Sequence, residues 1–181
     1  MKQVIKFSFL FALIAFFATS TQAQDDKSKR KSPPMETTGM VGDATVSINY
    51  SAPSVNGRKI FGGLQAFGEV WRTGANEATT FEVSKNVKIE GQELAAGKYG
   101  LFTIPGEDKW TIIFNSVWDQ WGGYNYDSEK DVLRVEVTPM QLDETVEQMK
   151  IDLMDQDGTS KVAIKWANTE VPFSIAPSAS N

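Results

Sequence analysis

Residues 45–50 read Thr-Val-Ser-Ile-Asn-Tyr, a strict alternation of polar and apolar side chains. A period of two is the pattern of a β-strand with one face in the core and the other in solvent. The same alternation recurs in residues 132–137 (VLRVEV) and 162–166 (VAIKW). We therefore expect short strands, and not helices, to build this chain.

About nine such strands are expected from Met35 onward. They are centred on residues 45–50, 80–83, 87–89, 99–104, 110–114, 132–137, 149–154, 162–166 and 171–175. Residues 138–148 are the best helix candidate, but Pro139 and the β-branched Thr145 and Val146 weaken it. The pattern predicts an all-β fold, a single β-sandwich over residues 35–177, with a partly open β-barrel as the alternative.

The first 23 residues have the pattern of a secretory signal peptide. Lys2 and Lys6 precede or flank the start of an apolar run at residues 7–18, and residues 21–23 (TQA) suit cleavage. The run is shorter than the roughly 20 residues that span a bilayer, so an uncleaved anchor is the less favoured alternative. We expect a periplasmic or secreted protein with no transmembrane segment after cleavage.

Residues 24–34 (QDDKSKRKSPP) are polar and charged and end in two prolines. Such a segment cannot bury enough apolar surface to order itself, so it predicts a disordered charged linker. Its basic residues could contact an acidic lipid or polymer, although a solvated tether is the favoured interpretation.

The chain has no histidine and no cysteine, and its net charge is −5. Nucleophilic catalysis with an imidazole base and the usual zinc, copper, iron–sulfur and haem sites are thereby disfavoured or excluded. We expect neither a cofactor nor a metal. An acidic surface repels phosphate backbones, so no nucleic-acid partner is expected.

Residues 68–80 (GEVWRTGANEATT) gather groups that suit a polar ligand. Arg72 offers a fork of donors, Asn76 both donates and accepts, and Glu77 accepts. The structural alternative places Trp71 in the core and pairs Arg72 with Glu69 or Glu77 to hold a loop in place.

Residues 115–126 (NSVWDQWGGYNY) carry clustered aromatics, among them Trp118, Trp121 and Tyr124. A strand end followed by two glycines cannot bury them all in regular alternation, so some are expected at the surface. Aromatic faces beside amides and carboxylates hold sugar rings and peptides. The alternative is a small local core that pins a long loop.

Four motifs in these regions resemble the DUF2911 family. They are residues 57–63 (GRKIFGG), 70–79 (VWRTGANEAT), 97–105 (GKYGLFTIP) and 118–122 (WDQWG). The resemblance extends from about Tyr50 to the C-terminal end. It implies an exported protein of the kind found mostly in Bacteroidetes-type bacteria, with no established activity and no known catalytic residues.

The leading functional hypothesis is an exported, non-catalytic binding domain for a small polar ligand such as a glycan or a peptide. Arg72, Asn76 and Glu77 would make polar contacts, and Trp118, Trp121 and Tyr124 would form a stacking platform. One alternative is a histidine-independent hydrolase or lyase that uses carboxylates such as Glu69, Glu77 or Asp119. Another is an envelope structural module whose partner is an envelope protein.

Overall fold

The described residues, 26–156 and 159–178 of this computed structural model, contain ten β-strands and two short 3-10 turns. The strands are β1 (Pro34–Val41), β2 (Ala44–Ser51), β3 (Thr79–Val83), β4 (Val87–Ile89), β5 (Gln92–Leu94), β6 (Gly97–Ile104), β7 (Trp110–Asn115), β8 (Asp131–Val137), β9 (Met140–Gln156) and β10 (Thr159–Pro177). The 3-10 turns are Lys27–Lys29 and Ser128–Lys130. The predicted signal peptide, residues 1–23, lies outside the described residues.

The strands form two antiparallel sheets, one of six strands and one of four. The order in the first is β1-β2-β3-β6-β7-β8, and the order in the second is β5-β4-β10-β9. The predicted β-sandwich is confirmed. The barrel alternative is wrong, because the two sheets stay separate.

The core lies between the sheets because most strands have an apolar face. In β8, for example, Leu133, Val135 and Val137 are buried and the residues between them are exposed. Aromatic rings fill one part of the core: Phe61 lies edge-on to Trp110 with ring centroids 4.7 Å apart, and the ring of Trp71 is stacked on that of Trp166. Edge-on and stacked pairs satisfy the ring quadrupoles while they bury large apolar surfaces.

Hydrogen bonds also join the two sheets along one side of the sandwich. The backbone N–H of Ile151 in β9 donates to the Tyr50 hydroxyl of β2 at 3.1 Å. The chain after β2 then runs beside β9, where the N–H of Val55 donates to Glu147 O at 2.8 Å and that of Met149 to Pro53 O at 2.9 Å. These bonds give the backbone of β9 partners that an edge strand otherwise lacks.

Three details differ from the sequence-based expectation. Strands β1 and β5 carry too little alternation to be recognised, and the expected strands at 162–166 and 171–175 are both part of β10. Ala167 has a φ of 52° and stands between two register shifts, so a bulge lets β10 continue through it. The helix candidate at 138–148 lies mostly within β9, which begins at Met140.

The outer face of the six-stranded sheet is partly covered by two loops. Phe102 of β6 and Ile113 of β7 point away from the main core but are 0% exposed. Ala78 from the loop before β3 and Tyr126 from the loop before β8 cover them, and the rings of Tyr126 and Phe102 lie 5.0 Å apart. These loops are the two segments that the sequence marks as candidate binding elements.

Candidate functional site

The loop of residues 68–78 and the loop of residues 116–127 pair with each other over the six-stranded sheet. Glu77 and Trp121 form an isolated antiparallel bridge. The N–H of Ala78 donates to Gln120 O and that of Gly122 to Asn76 O, both at 3.0 Å. The two candidate segments therefore form one continuous feature of the surface.

The first loop is held in place because it extends the sheet beside β6. Trp71 and Thr103 exchange backbone hydrogen bonds of 2.7 and 2.9 Å. The Trp71 side chain is 3% exposed in the core, and its Nε1 donates to Gly74 O at 3.0 Å. Trp71 is thus part of the scaffold and does not face the surface.

Thr73 is a residue of this loop that the sequence does not single out. Its φ is 55° although it is β-branched and 0% exposed, a conformation that such residues rarely adopt. The Thr73 hydroxyl donates a hydrogen bond to the Thr103 hydroxyl at 3.1 Å, and the Thr73 carbonyl accepts one from the Thr79 hydroxyl at 2.8 Å. The neighbouring Gly74 packs closely against the chain, since a Cβ there would lie 3.0 Å from Ser51 O.

The second loop lies directly against β6 and is anchored by a polar cluster. A Cβ on Gly100 would lie 2.8 Å from Phe102 Cε2 and 3.0 Å from Val117 O, so the lack of a side chain at Gly100 lets the loop approach this closely. Asp131, whose side chain is 7% exposed, accepts from the Tyr126 hydroxyl at 2.6 Å and pairs with Arg134 at 3.0 Å. Burial, followed by the bond to Asp131, raises the pKa of Tyr126 to about 12.

The six predicted binding residues lie on these two loops, and their exposure differs by type. The aromatics Trp118, Trp121 and Tyr124 are 38%, 56% and 88% exposed. Arg72, Asn76 and Glu77 are half-buried. Burial lowers the pKa of Arg72, and the proximity of Tyr124 partly opposes this shift. Arg72 Nε has no hydrogen-bond partner among the described residues.

The carboxylate of Glu77 pairs with two cationic side chains on this surface. Lys27 Nζ lies 2.9 Å from one of its oxygens, and Arg30 Nη1 donates to both oxygens at 3.0 and 2.9 Å. Burial alone would raise the pKa of Glu77, but the hydrogen bonds from Lys27, from its own backbone and from Arg30 outweigh it and lower the pKa to about 2.

Lys27 and Arg30 come from the segment in which the sequence predicts a linker. Arg30 also places its guanidinium carbon 5.7 Å from the centroid of the Trp121 ring. Two residues later, Ser32 O accepts a hydrogen bond of 3.1 Å from Asn76 Nδ2. The described part of the segment, from Asp26 onward, therefore lies across the candidate site. The sequence offers no local signal for these contacts, because their partners are more than 40 positions apart.

A cleft of about 270 Å³ opens beside Glu77 on the same face. Its lining consists of Lys27, Pro34, Met35, Asn49, Tyr50, Ser51, Glu77, Ala78, Thr80 and Lys98. Lys98 links the cleft to the aromatic loop, because its Nζ is 4.4 Å from the centroid of the Trp118 ring. The cleft thus combines ammonium, carboxylate, amide and hydroxyl groups.

A second cavity, of about 400 Å³, lies elsewhere and contains none of the six predicted residues. Phe61, Phe67, Trp110 and Met140 supply most of its apolar lining, with Lys59 and Glu107 among its polar residues. In the sequence, the feature that points to this cavity is the glycine-rich segment that carries Phe61 and Phe67.

Neither a metal site nor a membrane helix is found in the part of the chain that the structure describes. No three acidic side chains there are grouped so as to hold a metal ion. Within the same residues, no helix has the length and apolarity needed to cross a membrane.

Comparison with known proteins assigns the chain to a family. Residues 32–175 match a family described as "Protein of unknown function (DUF2911)". The chain belongs to this family. The resemblance seen in the sequence motifs is confirmed, and the DUF2911 match contains both loops of the candidate site. No curated protein and no solved structure matches the chain.

The DUF2911 match begins at Ser32, so Lys27 and Arg30 lie outside it. Glu77, Asn76 and Trp121, which they or their segment contact, lie inside it. The cationic side chains over the site therefore come from outside the matched range.

The ion pairs of Glu77 predict a measurable effect of acid. We expect Glu77→Gln to lower the free energy of unfolding by up to about 1 kcal/mol at neutral pH, because the pairs are partly exposed. The carboxyl has a folded-state pKa of about 2 against an ordinary value of 4.5. Its stabilisation is therefore complete above pH 4.5 and is lost as the pH falls through about 2.

Denaturant unfolding of both proteins from neutral pH down to about 2 checks this expectation. Glu82→Gln is the control, because Glu82 is more exposed and, among the described residues, pairs only with Lys98, at 3.6 Å. A difference between wild type and Glu77→Gln that stays constant down to pH 2 would contradict the assignment of the shift to these pairs.

Proposed function

We propose that this DUF2911 domain binds a small polar ligand, a glycan or a peptide, without catalysing a reaction. The binding surface is the outer face of the six-stranded sheet where the two loops pair. Arg72, Asn76 and Glu77 supply polar contacts, and the three exposed aromatics supply flat apolar faces.

The observation that carries this proposal is the uneven burial of the five tryptophans. Trp71, Trp110 and Trp166 are 3%, 1% and 1% exposed in the core, whereas Trp118 and Trp121 are 38% and 56% exposed. Tyr124, next to them in the sequence, is 88% exposed. Exposed aromatic clusters rimmed by polar groups are typical of binding surfaces.

The adjoining cleft supports the same function. Its volume of about 270 Å³ is slightly below the range typical of small-ligand pockets, roughly 300–1,000 Å³, which suits a small ligand or one group of a larger ligand. Asn49, Thr80 and Lys98 line it together with Glu77, so hydroxyl, carbonyl and carboxylate groups of a ligand all find partners there. A ligand that enters the cleft reaches Trp118 past Lys98.

The state of the carboxylates favours binding over hydrolysis or lyase chemistry. A general acid needs a raised pKa, but Glu77 is held ionised by Lys27 and Arg30. Glu69 and Asp119, the other candidate carboxylates, are exposed. The predicted signal peptide at residues 1–23 leads us to place the binding in the periplasm or outside the cell.

A binding screen with a matched pair of variants tests the proposal. Glycans and short peptides are titrated against the protein by calorimetry, after thermal-shift selection of ligands that raise the melting temperature. Trp121→Ala is expected to weaken binding at least about tenfold, because a stacked tryptophan is a typical hot spot. Met140→Ala is expected to have no effect, although Met140 is equally exposed at 56%.

Met140 also lines the larger cavity, so the control distinguishes the two sites. A ligand whose affinity falls with Met140→Ala but not with Trp121→Ala binds in that cavity, and this result would contradict the proposed surface. Absence of binding by every glycan and peptide would contradict the function itself.

A further inference from the structure

The side chain that already lies on the proposed surface indicates what kind of ligand the surface takes. Arg30 Nη1 is shared between both oxygens of Glu77, and the guanidinium lies 5.7 Å from the Trp121 ring. A carboxylate beside an indole face is a recognised arrangement for binding cations. The Arg30 side chain is only 18% exposed, so its charge is largely withdrawn from water.

We infer that Glu77 and Trp121 form a cradle for the cationic side chain of a basic peptide, and that Arg30 occupies this cradle until such a peptide displaces it. The inference rests on the proposed function, since it names the ligand class of the same surface. The chain segment at residues 27–32 then serves as a built-in competitor for the ligand.

The backbone contact of the segment favours a peptide over a glycan. Asn76 Nδ2 donates to Ser32 O, a main-chain carbonyl two residues beyond Arg30. Lys27, which is three residues before Arg30 in the sequence, pairs with the same Glu77 carboxylate. The surface therefore accepts a lysine and an arginine at this spacing together with a peptide carbonyl, and all three groups occur in any peptide of the type Lys-x-x-Arg-x-x.

The position of the segment favours displacement. The cradle lies within the family match, residues 32–175, while Lys27 and Arg30 precede it. None of the residues in the turn Lys27–Lys29 is buried. Removal of the turn from the surface thus breaks polar contacts that water can replace.

The test uses the full chain and a peptide that copies residues 27–32 (KSKRKS) with blocked ends. Its twin carries citrulline, which has the shape of arginine without the charge, in place of the residue that copies Arg30. Both are titrated by calorimetry against the wild type and against Lys27→Ala/Arg30→Ala. We expect the copy to bind the double variant about tenfold tighter than the wild type, because the tethered competitor is gone.

Charge dependence is tested in the same background. We expect the citrulline twin to bind the double variant about tenfold more weakly than the copy, and Glu77→Gln to remove this difference. Glu82→Gln is the matched control and should leave the difference unchanged. If the melting temperature shows that the double variant is unfolded, the single variant Arg30→Gln, which keeps a polar side chain of similar reach, replaces it.

The outcomes separate this inference from the proposed function. If a glycan or a neutral peptide binds with sensitivity to Trp121→Ala, while the copy and its twin bind equally, the cationic cradle is wrong and the binding function stands. Equal affinity of the copy for wild type and double variant overturns the role of Arg30 as occupant. If no glycan or peptide binds either protein, both the inference and the function are overturned.

Discussion

Replacement of Trp71 with alanine is expected to lower the free energy of unfolding by about 3–5 kcal/mol. Trp71 is 3% exposed, is stacked on Trp166, and donates a buried hydrogen bond to Gly74 O. The substitution leaves a cavity in the aromatic core and removes the donor that holds the loop of residues 68–78. Denaturant unfolding measures the loss. Trp121→Ala is the control and should change stability by no more than about 0.5 kcal/mol, because Trp121 is a surface residue.

A second pair of variants isolates the hydrogen bond from the packing. Trp71→Phe and Trp166→Phe both replace a buried indole with a smaller ring. Of these two tryptophans, Trp71 alone has a hydrogen-bond partner for its Nε1 among the described residues. We expect Trp71→Phe to be the more destabilising by about 1–2 kcal/mol, since it leaves the Gly74 carbonyl without its donor. Equal losses for the two variants would show that the indole N–H does not hold the loop.

Replacement of Asp131 with alanine is expected to cost about 2–4 kcal/mol and to release the aromatic loop. Its buried carboxylate binds Asn115 Nδ2 at 2.7 Å, the Tyr126 hydroxyl and the Arg134 guanidinium, all of which lose a partner. Denaturant unfolding gives the stability, and hydrogen exchange reports the opening of residues 116–127.

Two variants with smaller expected losses of stability test the individual contacts of Asp131. Tyr126→Phe removes one hydrogen bond and should cost about 1 kcal/mol. Arg134→Ala removes an ion-pair partner that is 46% exposed and should cost less than Asp131→Ala. If Asp131→Ala were no more destabilising than Arg134→Ala, the carboxylate would not be the anchor of the loop.

The strands that the sequence predicts well are those with one face in the core. In β2 and β8 every second side chain is buried, so period two is visible in the residue types. β1 does not show this period, because most of its residues are exposed or half-buried. Its strand conformation comes from pairing with β2 along its whole length. The first half of β9 likewise looks polar, and its strand conformation comes from pairing with β10, for example Gln141 with Thr169.

The candidate site shows the same division. Residue types alone indicate which side chains suit a polar ligand, and the structure places the two loops that carry them side by side through the bridge of Glu77 and Trp121. Residue types do not reveal that Trp71 faces the core or that Arg30 lies on Trp121. Burial and ion pairing both depend on which distant segments meet.

The sequence by itself determined the all-β character, the exclusion of histidine and cysteine chemistry, and the two candidate loops. Periodicity and side-chain chemistry are properties of neighbouring residues, so they are visible without the fold. Only the tertiary structure decided that the loops join, that three tryptophans are core and two are surface, and that Glu77 is held ionised by residues 47 and 50 positions earlier. Those facts arise from contacts between residues far apart in sequence, and such contacts leave no pattern within either segment.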